Sequence, residues 1–185
     1  MTATNATPID IDKGLFSVLG FLTADISSPY WTHVEDISEP GAIGATFSFM
    51  PEKDKDGDHI PADFSVIDVT DDPDEPNIST LTTEDAAEFD AFLREEAEEG
   101  LPAIGAMLVE WMNSHLNTSA DAKALMTAYK GRMDGGKHRQ YVCARRRFLQ
   151  RNVLMLGSFD VERADEFLPR IMEMMARVRA VTYSS

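Results

Sequence analysis

Apolar and polar residues alternate with a period of two at several places in the N-terminal part of this chain, and that pattern predicts strands. Gly14 to Thr23 is apolar and β-prone, and Ser27-Ser28-Pro29 then marks a turn. Tyr30-Trp31-Thr32-His33-Val34 combines aromatic and β-branched residues, which suit a pleated surface. After a turn at Glu39-Pro40-Gly41, the stretch from Ala45 to Met50 places Phe47 and Phe49 on one face. The stretch from Asp63 to Val69 alternates too, with Phe64 and Val66 pointing inward. A charged loop from Pro51 to Pro61 separates these two runs, so a hairpin is the simplest reading.

The period then changes. Beyond the loop Asp71 to Pro76, Thr82 can cap a helix whose first turn carries Glu84 and Asp85, matched to the positive end of its dipole. Phe89, Phe92, Leu93 and Ala97 form one apolar stripe, and Glu88, Glu95, Glu96, Glu98 and Glu99 cover the rest. Gly100 followed by Leu101 suggests a left-handed helix stop, and Pro102 the start of a second helix. Ile104, Met107, Leu108 and Trp111 would form the stripe of that second helix, ending near Asn113. Three strands follow, at Lys123–Arg132, Arg139–Leu149 and Val153–Phe159, with turns at Asp134-Gly135-Gly136 and Gln150-Arg151-Asn152. Val153 to Leu156 is apolar throughout, as in a central strand covered on both faces. A last helix, from about Asp165 to Val181, carries Phe167, Ile171, Met174, Met175, Val178 and Val181 on one side. The order predicts an α+β fold: a mainly antiparallel twisted sheet with helices packed on its faces. One domain is expected over residues 13–183, after a flexible start at 1–12.

Charge changes the picture most. Residues 1–110 hold 25 Asp and Glu against 4 Lys and Arg, a formal charge of −21. Residues 111–185 hold 7 against 13, giving +6 and a net charge of −15 for the 185-residue chain. Such asymmetry means that the two parts face each other or that one faces a partner. The net charge opposes nucleic acid and anionic membranes, and favours a protein partner with a basic surface. In the arginine-rich strand, Arg145 and Arg147 share a face with Tyr141 and Cys143, while Arg146 shares the other with Val142, Ala144 and Phe148. Whichever face is buried carries an arginine, which needs a carboxylate from the acidic half or forms a basic groove for an acidic ligand. Glu88, Glu95, Glu96, Glu99, Arg145 and Arg147 are therefore the candidate partner-binding residues.

Chemistry adds little beyond this. Asp54, Asp56 and Asp58, with Gly57 between them, suggest a cation loop, but Ser65 stands where an EF-hand needs its bidentate glutamate. An exposed hairpin tip explains the same residues. The four histidines lack metal-ligand spacing, and no nucleophile elbow or phosphate loop is present, so neither catalysis nor a cofactor is expected. The one cysteine, Cys143, reads as a small buried hydrophobe and excludes an intramolecular disulfide. Without a signal-like start or an apolar run long enough to span a bilayer, a cytoplasmic protein is expected.

Arg147-Phe-Leu-Gln-Arg-Asn-Val-Leu-Met-Leu-Gly-Ser-Phe159, followed by Phe167-Leu-Pro-Arg-Ile171 and the last helix, resembles the closing portion of the PsbP-like superfamily. That superfamily includes Ran-binding Mog proteins and bacterial DcrB-type domains. Pro29-Tyr30-Trp31 is similar to the Pro-Gly-Trp near the start of these domains, with tyrosine in place of glycine. The resemblance implies a non-enzymatic role as a binding, assembly or chaperone-like module, some bacterial members being effector adaptors. An acidic immunity-type inhibitor that masks a basic toxin surface is the alternative drawn from the charge, and a small-ligand or weak cation-binding protein is a third.

Overall fold

The alternating segments pair into one large sheet and one small one. The computed structural model describes residues 5–26, 31–50, 59–118 and 123–182. Its elements are β1 (Ala6–Asp10), β2 (Leu15–Val18), β3 (Leu22–Asp25), β4 (Trp31–Glu39), β5 (Ala42–Phe49) and β6 (Ala62–Asp68). There follow α1 (Thr83–Gly100), β7 (Ala106–Asn117), β8 (Ala124–Met133), β9 (His138–Phe148), β10 (Arg151–Asp160), α2 (Ala164–Arg177) and β11 (Arg179–Ala180). The large sheet has the order β4-β5-β6-β10-β9-β8-β7 and the small one β1-β2-β3-β11. Every pairing is antiparallel. The α+β fold is the expected one.

Register divides the large sheet into two unlike faces. Phe47 stands opposite Phe64, Phe64 opposite Gly157, Gly157 opposite Val142, and Val142 opposite Ala128. This row faces α2 and the small sheet. Phe47, Phe64, Phe159, Phe167 and Ile171 are each 0% exposed there. The Phe16 ring from the small sheet lies 5.0 Å from Phe47, and Phe167 from α2 lies 4.9 Å from Phe49. Gly157 is required at this contact, because a β-carbon on it would collide with the Ile171 side chain. The adjacent row, Thr46, Ser65, Leu156, Cys143 and Thr127, points the other way, towards α1.

Four local expectations change. The second helix predicted after Pro102 does not form: a 3-10 turn at Leu101–Ile104 leads into the edge strand β7. Bulges between Leu108 and Glu110 and between Met112 and His115 shift its alternation. Its less exposed positions therefore fall at Ala106, Leu108, Trp111, Ser114 and Leu116, a spacing of two and three that mimics a helical stripe. The left-handed stop lies at Gly105 (φ 70°), whereas Gly100 stays right-handed (φ −82°) because buried Leu101 holds the chain on the sheet. The β9–β10 turn is Leu149-Gln150, since Phe148 already pairs with Arg151, and Leu149 takes a left-handed φ of 55°. Residues 6–10, expected within a flexible start, form β1 with Ala6 buried.

Candidate functional site

The face of the sheet beneath α1 is incompletely filled. Thr82 and Asp85 build a capping box: the Thr82 hydroxyl accepts from the Asp85 N–H at 3.1 Å, and Asp85 accepts from the Thr82 N–H at 2.9 Å. Ala86 and Leu93 are buried with Leu125 of β8. Asp90 accepts from the Trp111 indole N–H at 3.1 and 3.2 Å and from the Ser114 N–H, which ties the helix to β7. Anchored over β7 and β8, the second half of α1 and the segment from Val69 to Glu75 flank a half-open cavity of about 330 Å³ above β9 and β10.

One wall is a ladder of aromatic rings. Trp111, Tyr129 and Tyr141 stack across β7, β8 and β9, with centroids 5.4 and 4.8 Å apart and planes within 18° and 14°. Offset stacking of this kind adds to burial and holds the rings flat. Tyr141 is 5% exposed, and its buried hydroxyl has no hydrogen-bond partner among the described residues. Such an orphan costs about 1–3 kcal/mol, so it is unusual in a filled core. Burial raises the phenol pKa of Tyr129 and of Tyr141. It also pushes the Cys143 thiol up to about 11, which makes that wall residue an inert hydrophobe rather than a nucleophile.

The far wall is charged. Arg145 is 6% exposed and donates to both oxygens of Glu75, at 2.8 and 3.2 Å. Burial acts against its charge, and the Glu75 carboxylate more than offsets this, so its pKa is raised. This is the intramolecular pair posed as one alternative for the arginine strand, and it leaves Arg145 buried beneath the surface. Arg147 is half-buried and donates to the side-chain oxygens of Asn77 and Gln150. On the opposite face, Arg146 lies 4.7 Å over the Phe148 ring. Glu96 stands at the rim of the cavity and is itself exposed; partial desolvation there raises its pKa, against the pull of Arg145.

Glu88, Glu95, Glu96, Glu98 and Glu99 are all exposed on α1. Arg94 pairs with Glu98 at 3.0 Å, and the last turn carries no basic residue. Phe92, assigned to the inner stripe from spacing, is 40% exposed beside Phe89. Asp54, Asp56 and Asp58 lie outside the described residues. Among those described, no group of three or more His, Cys, Asp or Glu is placed to hold a metal ion.

Sequence reasoning did not single out Glu75, Tyr129, Trp111 or the unsatisfied Tyr141 hydroxyl. Nor did it find a buried polar network around Arg139, whose guanidinium donates to Asp63, Asp160, Ser158 and the Ile60 carbonyl. Such pairings join residues 19 to 79 positions apart, and no local pattern encodes them.

The order of strands, with one helix on each face of a long antiparallel sheet, defines a PsbP-like fold. The solution structure of cyanobacterial PsbP (CyanoP) from Synechocystis sp. PCC 6803 matches it with a TM-score of 0.58 and 14% identity, over 86% of each chain. A crystal structure from Bacteroides thetaiotaomicron aligns at 14% identity and a TM-score of 0.40, covering 89% of this chain and 46% of that one. No protein-family model and no curated protein sequence matches the chain. Among the described residues, no helix is long and apolar enough to cross a membrane.

Proposed function

We propose that this chain is a non-enzymatic binding module of the adaptor, assembly or chaperone-like kind, which meets a protein partner with a basic surface through the outer side of α1. The observation that carries the reading is the charge of that side. Glu88, Glu95, Glu98 and Glu99 are exposed, and no basic residue offsets them in the last turn, where the helix dipole is itself negative. Like charges at positions 95 and 99 cost a few tenths of a kcal/mol, with no return to the fold. A basic partner makes that arrangement useful by steering association. The fold is compatible with such a role, and the same face would serve an immunity-type inhibitor of a basic toxin. Cytoplasmic placement belongs to the reading.

The test is a capture experiment with the protein immobilised, comparing wild type with the double variant Glu95→Lys, Glu99→Lys. A partner retained by wild type and lost by the variant, with an on-rate that falls steeply from low to high salt, supports the reading. Equal capture by both proteins, at a salt-independent rate, removes it. A captured nuclease whose active site is blocked would mean inhibitor, and a captured secreted effector would mean adaptor.

A further inference from the structure

We infer that the exposed patch where α1 runs into β7 is a contact between two copies of this chain, related by a two-fold axis. The patch starts from apolar exposure. Ile104, Met107 and Val109 are 57%, 58% and 48% exposed. They are three of the ten large apolar side chains exposed among the described residues, and they fall within six positions. Single exposed apolar residues need no explanation, whereas a cluster marks a contact surface. β7 is the outermost strand of the large sheet, so no further strand covers this rim among the described elements.

The charges on either side of the patch identify the occupant. On one side stands the last turn of α1, where Glu99 is exposed and no basic residue offsets the negative helix end. On the other stands the β8–β9 hairpin, with Arg132 and Lys137 exposed. Met107 lies opposite Arg132 in the ladder, and Pro102 and Met107 share a shallow hollow with it. The Asp134 N–H donates to the Gly105 carbonyl at 2.9 Å, which ties the hairpin to the end of the helical segment. The Asp134 carboxylate is turned in against Gly105, so Arg132 and Lys137 form the outer charge of the hairpin. Glu99, Arg132 and Lys137 have no ion-pair partner among the described residues.

An acid and two bases thus flank one apolar centre. A two-fold axis through that centre sets Glu99 of each copy against Arg132 and Lys137 of its mate, and Met107 against Met107. This is the self-complementary order of an isologous interface, with an apolar middle and a polar rim. A uniformly basic or uniformly acidic protein would satisfy only one side of it. The centre is small and each copy carries a charge of −15, so the dimer is weak and concentration-dependent.

Sedimentation equilibrium of the full chain reads the outcome, at about 0.15 M salt so that the net repulsion is screened beyond about 8 Å. With rising concentration, wild type is expected to move from 20.5 kDa towards twice that mass and no further. Met107→Asn should hold the chain monomeric. Glu99→Lys and Lys137→Glu should each weaken the dimer about tenfold. The double variant Glu99→Lys, Lys137→Glu exchanges the signs in both copies at unchanged net charge, and should recover most of the affinity. An unchanged melting temperature shows that each variant is folded. A wild type that stays monomeric to about 1 mM, a dimer that survives Met107→Asn, a double variant no better than the single ones, or growth beyond two copies would each overturn the inference. The partner reading of α1 fails separately, by equal capture of a basic protein whatever the mass of the free chain.

Discussion

The two faces of the seven-stranded sheet are built from the same strands, yet they obey different rules. Towards α2 the alternate residues are apolar and fully enclosed, from Phe47 and Phe64 to Met155 and Phe159. Packing there is tight enough that Gly157 has no room for a methyl group under Ile171. Towards α1 the intervening residues include a buried ion pair, an unsatisfied phenol and open volume. A period of two lets one strand serve both purposes, since neighbouring residues never share an environment. The filled face holds the fold, and the unfilled face keeps groups that folding does not use.

Adjacent positions of β10 test that division most sharply. Met155 is 0% exposed in the core, whereas Leu154 lines the cavity. Met155→Ala should destabilise by about 3–4 kcal/mol and Leu154→Ala by roughly half as much, because a wall beside existing volume loses fewer contacts. Equal costs in urea unfolding would erase the distinction between the faces.

Next in size is the ion pair. Glu75→Ala leaves the Arg145 guanidinium buried and uncompensated and should cost about 3 kcal/mol. Adding Arg145→Met should restore most of that stability, since the pair is then replaced by apolar contact. If the double variant melts no higher than Glu75→Ala alone, the pair is not an isolated unit.

A smaller effect belongs to Glu96. Burial raises its folded-state pKa, so the folded protein holds its proton to higher pH than the unfolded chain does. Stability should therefore decline as pH rises through the window between the ordinary carboxylate value and that raised value. Comparison of wild type with Glu96→Gln from about pH 4 to about pH 7 isolates this contribution, because the variant should lack that part of the slope. Identical slopes would show that the rim of the cavity does not perturb Glu96.

Much of the filled face was legible from residue order. Phe47, Phe64, Val153 and Met155 alternate, and Phe167, Ile171, Met174 and Met175 recur at helical spacing, because core burial imposes a local period. The Thr82 cap was legible too, since its partner Asp85 lies three residues away. β7 was not, because two bulges gave Leu108, Trp111 and Ser114 the spacing of a helix. On the α1 side, the arginine strand showed that a buried arginine would need a carboxylate. Nothing local named Glu75, which is 70 residues distant. The cavity was illegible for the same reason: its walls come from strands and a helix that only the tertiary fold brings together.

The melting temperature of Tyr141→Phe tests most directly whether the α1 side keeps groups that folding does not use. The change removes one oxygen and preserves the ring stacked on Tyr129. If the hydroxyl is an orphan, the variant should melt at the wild-type temperature or a few degrees higher, since a gain of 1 kcal/mol is worth about 2–4 °C at this size. A fall of several degrees would show that the hydroxyl is bonded within the fold, and would contradict the account.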